Sequence, residues 1–556
     1  MMSEKKIESR RAKMRLPMLL LLFAGQMFAD PEIIPFEWSG QYGMMADNGV
    51  TVFQQDWNSG PVVIDGMYAN YPLRFGDVYL NNFTFYKFGE IVGFEDVLPD
   101  SNTVSSAFDY RRGDYLYDQL EIKADFGSKN RLIRWNGFKR SYGGSYGQFN
   151  ISSANPIQQS YRIDYISKSN NESIYTSAQR FITSSGFHIP DSATSGKLND
   201  DISAAGIIYS HPFRNWNWKI HGSIFNQKNR VERSELHSTG NRYLSRLHFN
   251  TQLAQLNYNE SRLHFGLSAD IRHFRQDSVV KTQGMSLLYF GLKVDSLFAR
   301  AGIDVESYHP ELQVSYYPKF GMLNGIAEVK LNSRFKNAGD WKTNKSPVDR
   351  WLKSKLGAKV TMEKWRLSAF AVYTTCSLRN NLINFEGDMT SISPKHLSGE
   401  INSNWKIFNN WQVSGRWRHG LLSFISDGIG DKLHFSITGK ESLFSGNMLA
   451  IAGLELEGWL NRERQFGFDP FENTFFHLSD DERTLPDAWL LNFTFTAEIS
   501  GVTLEWSVKN VLNATEPAVR SVYPDIDSEL FWVESSHLFL PMGRFMSFGV
   551  YWTFQD

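Results

Sequence analysis

The sequence predicts an all-β protein, a transmembrane antiparallel up-and-down β-barrel of about 22 strands. Three observations carry this. Apolar and polar residues alternate at period two from about Tyr115 to the end of the chain. The connections between the alternating segments are short and long in turn. No stretch beyond the first thirty or so residues is apolar for long enough to span a bilayer as a helix, which takes about 20 residues. Any crossing must then be made by strands that close their hydrogen bonds against one another.

The closing strand shows the pattern most clearly. Met546, Phe548, Val550, Trp552 and Phe554 share one face, and Ser547, Gly549, Tyr551 and Thr553 share the other. A wholly apolar face opposite a small or polar one is the design of a strand between lipid and lumen. The preceding hairpin repeats it. Leu491, Phe493, Phe495, Ala497 and Ile499 alternate with Asn492, Thr494, Thr496 and Glu498. After Ser500-Gly501, Val502, Leu504, Trp506 and Val508 alternate with Thr503, Glu505, Ser507 and Lys509. Arginine at Leu504 should therefore block assembly, whereas arginine at Glu505 should be tolerated.

Further segments follow the same rule. Leu263, Phe265, Leu267, Ala269 and Ile271 oppose Arg262, His264, Ser268, Asp270 and Arg272. Leu297 to Val305 oppose Arg300, Asp304 and Glu306, and Trp411 to Trp417 oppose Gln412, Ser414, Arg416 and Arg418. Trp459, Trp489, Trp506 and Trp552 are the expected aromatic girdle. Short turns fall near Ser128, Asn170, Asn259, Asp295, Glu363, Asn409 and Ser500. Long connections are expected at Thr183 to Asp200, Lys336 to Arg350, Arg379 to Pro394, Asn461 to Pro486 and Leu512 to Met542. About 21 segments can be marked, but single-chain bacterial barrels have an even number. If the last strand ends in the periplasm, the short turn at Ser128 requires one more strand before Tyr115.

Composition agrees with this reading. Aromatic residues make up 15% of the chain, with 16 Trp, 23 Tyr and 42 Phe, as two interfacial girdles would need. A secreted all-β protein can be equally aromatic, so composition alone does not decide. The net charge of -1 gives none of the basic excess that nucleic-acid binding requires. The lone cysteine, Cys376, excludes an internal disulfide and a Cys-based zinc or redox site. Residues 1–29 read as a signal peptide. Lys5, Lys6, Arg10, Arg11, Lys13 and Arg15 precede a short apolar core, Leu16 to Gly25, and Ala29 closes it. Export of this kind places the barrel in the outer membrane of a Gram-negative-type bacterium.

No catalytic or metal constellation is visible, so the chain does not read as an enzyme and no cofactor is implied. His211, His221, His248, His264 and His273 are scattered along strands and are expected to be lumenal. Ser426 to Asp431 and Asp480-Asp481-Glu482 are solvated loops in composition. Lumenal charges are mixed: Glu455 and Glu457 on one strand, Arg416, Arg418, Lys509 and Arg262 on others.

The C-terminal stretch also resembles a known family. Ser507 to Asn513 (SVKNVLN), a long loop, and then Leu540 to Phe554 (LPMGRFMSFGVYWTF) look like the end of a TonB-dependent outer-membrane receptor. Asn510, Gly543, Arg544 and Phe554 sit at the matching places. Pro61 to Pro72 is similar to the plug segment that carries an Ile-Asp-Gly element, here ending in Asp65 and Gly66. Phe94 to Asp100 echoes a second plug element, and Glu32-Ile33-Ile34-Pro35 is the candidate TonB box. The resemblance implies a barrel with 22 strands, a shortened plug over 30–114, a barrel over 115–556 and a receptor that takes up a ligand. The alternative is a passive, porin-like or structural barrel without TonB coupling. Candidate partners are outer-membrane lipids, the barrel-assembly machinery, TonB and a surface lipoprotein.

Overall fold

The computed structural model describes residues 98–555 apart from stretches within the loops, together with four short strands between Met44 and Tyr68. The wall is a closed antiparallel barrel of 22 strands. Two short ladders, Lys319–Phe320 and Thr484–Leu485, extend neighbouring strands and add none of their own. The first strand is Thr103–Gly113 and the last is Phe545–Gln555. They pair from Ser547↔Gly113 to Gln555↔Ser105, which closes the barrel and leaves no edge.

Thr103–Gly113 is the strand that turn parity required before Tyr115. The wall therefore starts inside the stretch assigned to the plug-like segment. Its alternation is blurred in the sequence because Ser105-Ser106 and Arg111-Arg112 put like residues on both faces. In the fold, Ala107, Asp109 and Arg111 point inward and are buried, while Val104 and Tyr110 are exposed outside.

The two faces separate as the alternation demands. On Ser261–Gln276, Leu267 and Ile271 are 38% and 49% exposed, while Asp270 and Arg272 are 3% and 0% exposed. Large apolar side chains such as Ile163, Ile224, Leu288, Leu356 and Phe435 continue this exterior around the wall. A continuous exposed apolar belt is stable only against lipid. Among the described residues no helix is long and apolar enough to cross a membrane. The crossing is made by strands.

The connection expected at Thr183 to Asp200 is mostly strand. Ser173–His188 and Ser195–Phe213 pair up to Ser195↔His188. Above the lipid belt the outward positions Ser184, Lys197, Asn199 and Asp201 are polar as well, so the period-two signal fades while the ladder continues. An exposed ion pair, Arg180 to Asp201 at 2.7 Å, lies on this extension. Two other long connections carry hairpins, Asn380–Ile383 with Met389–Ile392 and Phe466–Asp469 with Thr474–His477. The connection before the last strand contains a helix, Val511–Val522. Ser500 and Gly501 form a two-residue turn with φ of 49° and 82°, the left-handed geometry that suits a tight hairpin.

Near the N-terminus, Met44–Asp47, Val50–Gln54, Pro61–Ile64 and Met67–Tyr68 form an antiparallel meander. Met67–Tyr68 lies against the barrel strands Ser195–Phe213 and Trp216–Glu232. Asp65 and Gly66, between two paired strands of this meander, lie outside the described residues. So do the signal peptide, Glu32 to Pro35, Phe94 to Val97, Ser426 to Gly428 and Asp480 to Glu482.

Candidate lumenal site

The inner face is built from paired charges. Arg162 Nε lies 2.7 Å from Asp164, and its Nη2 donates to the Tyr175 hydroxyl at 2.7 Å. Asp270 takes Arg246 Nε at 2.9 Å and His248 Nδ1 at 3.0 Å. Asp200 accepts from the amides of Gln227 and Asn229. All of these are buried, and a buried charge survives only when paired or hydrogen-bonded. His221, His248 and His264 point inward, as expected. His211 and His273 do not: they share parity with Ile207 and Ile271 on the exterior, where His273 Nδ1 meets Thr282 Oγ1 at 2.8 Å. No group of His, Cys and acidic residues among the described residues is arranged to hold a metal ion.

The charges are mixed overall but sorted by position. The strands Leu323–Phe335 and Val348–Thr361 bring Lys330 opposite Lys353 and Glu328 opposite Lys355. Farther round, Lys359, Ser368, Asn402, Arg416, His434 and Glu457 form one unbroken cross-strand row. The next row toward the short turns holds Arg366, Asn404, Ser414 and Ser436. The next toward the outer loops holds Glu400, Arg418 and Lys432. These rows line an inward cavity of about 500 Å3. Arg416 Nε is held 2.9 Å from Glu400, and His434 Nε2 bonds Glu455. Ser414 and Ser436 share a 2.6 Å hydroxyl bond. Lys359, Arg366, Arg416, Arg418 and Lys432 line the cavity with Glu457, and Glu400 stands at its edge beside Arg416 and opposite Arg418, so the cations exceed the carboxylates.

Three of the C-terminal motif residues, Asn510, Gly543 and Arg544, meet at the outer rim. Asn510 is 1% exposed and has φ 51°, a left-handed conformation that Asn tolerates better than most residues. Its backbone N–H donates to Asn492, its Nδ2 donates to the Phe531 carbonyl at 2.9 Å, and its Oδ1 caps the helix at Asn513 N. Asn513 Oδ1 in turn accepts from Arg544 N at 2.7 Å. A Cβ on Gly543 would stand 2.7 Å from the Trp532 ring. Arg544 Nε lies 3.7 Å from Asp114, whose Oδ2 also accepts from Met546 N. Phe554 is exposed on the outer face, its ring 4.3 Å from that of Trp552.

Of the four tryptophans expected in the girdle, Trp506 and Trp552 are exposed outside. Trp489 shares their outward parity, its ring lying over Gly458. Trp459 faces inward. It shares parity with Glu455 and Glu457, and it packs with Ala488, Leu490 and Val533 under the folded outer loop.

This architecture has known counterparts. The iron transporter FrpB from Neisseria meningitidis (F3-3 variant) superposes with a TM-score of 0.66 at 9% identity, covering 94% of this chain and 95% of that one. The fold is that of TonB-dependent outer-membrane receptors. The copper transporter OprC superposes with a TM-score of 0.63 at 12% identity, covering 96% and 99% of the two chains. The alcaligin outer-membrane receptor FauA from Bordetella pertussis gives 0.53 at 10% identity, covering 82% and 76%. No protein-family model matches the sequence, and no curated protein matches it.

Arg416 and Arg418 were readable as lumenal from alternation alone. Alternation also places Arg366 inward, opposite in face to Leu367 and Ala369, but nothing in the single sequence marks Lys359, Arg366 and Lys432 as one group. Their grouping depends on register between strands, which a single sequence does not show.

Proposed function

We propose that this chain is an outer-membrane receptor of the TonB-dependent type that takes up a ligand through its barrel, with the N-terminal segment occupying the lumen. The observation that carries the reading is the closed wall of 22 strands with a folded N-terminal meander set against it. A barrel this wide encloses a lumen that is either plugged or an open channel. Ile202, Ala204 and Phe225 are buried while facing inward, on the two strands that Met67–Tyr68 touches. Inward apolar groups of this kind need a cover other than water. TonB is the implied energy-coupling partner, and lipids surround the belt. The similar structures are transporters and receptors, which favours transport over catalysis.

Single-channel recording in planar bilayers tests this. The full chain should conduct little, and deleting residues 30–97 should open a large, steady conductance. The deletion must stop short of Thr103, because the next residues form the first barrel strand. A large constitutive conductance from the full chain, unchanged by the deletion, would sink the reading in favour of a passive barrel.

A further inference from the structure

We propose that the basic cavity on the inner wall is a binding site for a polyvalent oxyanion, one that presents several carboxylate or phosphate oxygens. Arg418 stands directly between Glu400 on one neighbouring strand and Lys432 on the other, and the like-charge pair Arg418–Lys432 repels. Among the described residues Lys359, Arg366 and Lys432 make no close ion pair, although Lys432 lies near enough to Glu457 to feel its charge. Some buried cations elsewhere on the inner wall sit directly on a carboxylate, as in Arg162–Asp164 and Arg246–Asp270. In a confined, partly dehydrated space, unneutralised cations focus a field that attracts anions. Asn404 and Ser368 add neutral donors on the same surface, beside Asn402 and Ser414, whose donors are engaged with Glu400 and Ser436. Arg416 is pre-oriented by Glu400, which lowers the ordering cost of a guanidinium–oxyanion contact.

The chain itself offers a rival anion. Residues 30–97 hold ten acidic residues against two basic ones, Arg74 and Lys87. The described meander in that segment lies against the strands Ser195–Phe213 and Trp216–Glu232. The cavity is lined by strands from Val348–Thr361 to Met448–Glu463, on a different part of the wall. That placement favours a solute. The proposal adds a charge class to the uptake reading and rests on it for its role, but the two are measured separately, one by binding and the other by conductance.

The test is calorimetry on the full-length protein in detergent micelles at low salt, with citrate and pyrophosphate as probes. Saturable binding of either is expected, and their relative affinity tells carboxylate from phosphate preference. Arg366→Gln with Lys432→Gln should weaken it at least tenfold. Lys139→Gln, which removes a charge from the outer face, should leave it unchanged. Heat-modifiable gel mobility confirms that each barrel is folded, and Lys359→Gln alone serves if the double variant is not. No saturable binding, or equal affinity in the variants, overturns the proposal. Binding seen only after deletion of residues 30–97 also overturns it and makes the acidic segment the occupant.

Discussion

Arg111, on the first barrel strand, reaches across Gly549 of the last strand to form a two-armed ion pair with Glu505 of the strand beyond. Its Nη1 and Nη2 lie 2.6 and 2.7 Å from the Glu505 carboxylate oxygens. Glu505, Gly549 and Arg111 occupy one cross-strand row, and a Cβ on Gly549 would stand 3.0 Å from Arg111 Cγ. The glycine thus provides room for the bridge, which ties three strands together at the barrel's closure. Glu505 is consequently not the freely exchangeable lumenal position that alternation suggested. Glu505→Arg should destabilise the barrel by about 2 kcal/mol or more, since hydrogen bonds to charged groups contribute about 1.5–3 kcal/mol. Combining it with Arg111→Glu should recover most of the loss. The measurement is the heating midpoint of the shift in gel mobility, and a double variant no better than the single one contradicts the bridge.

The exterior makes the opposite demand. Leu504 is the neighbour of Glu505 and faces outward, opposite Ala497 and Val550. An arginine there meets hydrocarbon at a cost of ~2–4 kcal/mol near mid-membrane. No second substitution in the lumen can recover this. Leu504→Arg should abolish accumulation of folded barrel in the outer membrane, whereas Leu504→Phe should accumulate normally. Equal folded yields for the two would contradict the lipid-facing assignment.

Asn510 ties the helix-bearing outer loop to the rim through both its backbone and its side chain. Asn510→Gly keeps the left-handed backbone and removes the side-chain bonds, and Asn510→Val removes both. Loss of the cap to glycine costs only a few tenths of a kcal/mol, and loss of the bond to the Phe531 carbonyl adds about 1 kcal/mol. A β-branched residue at positive φ adds strain of about 1–3 kcal/mol. Cleavage of the segment after Val522 by an added protease should therefore speed up in the order wild type, Asn510→Gly, Asn510→Val. The barrel's own melting should change much less, because Asn510 lies beyond the ladder that ends at Lys509.

These cases show what the sequence discloses and what it withholds. Period-two alternation sets each side chain's face, so Leu504, Phe548 and Arg418 could be placed before any coordinates. It fades where the outward face turns polar, as it does beyond Thr183, although the ladder continues. It also blurs where like residues repeat, which is why Thr103–Gly113 was inferred only from turn parity. Trp459 shares parity with Glu457 and therefore faces inward, although tryptophan is a residue type that girdles favour. Register is the property a lone sequence does not encode visibly. Both the Arg111–Glu505 bridge and the basic cavity are register effects, assembled from residues on strands that are distant in the chain.

Register also sorts the lumenal charge into sectors, with a measurable consequence. Arg300, Lys330, Lys353 and Lys355 continue the basic surface beyond the cavity, with Glu328 among them. Glu328 pairs with Lys330 and accepts from the Tyr317 hydroxyl, so one carboxylate is shared among several cations. A channel opened by removing residues 30–97 should therefore prefer anions, because a ring or wall of one sign sets the selectivity of a pore. The preference should be largest in dilute salt and nearly vanish at 1 M, where the Debye length is about 3 Å. Zero-current potentials across a salt gradient measure it directly. Lys353→Glu with Lys432→Glu should shift the potential toward cation preference, and an opened channel that favours cations from the start would contradict the charge map.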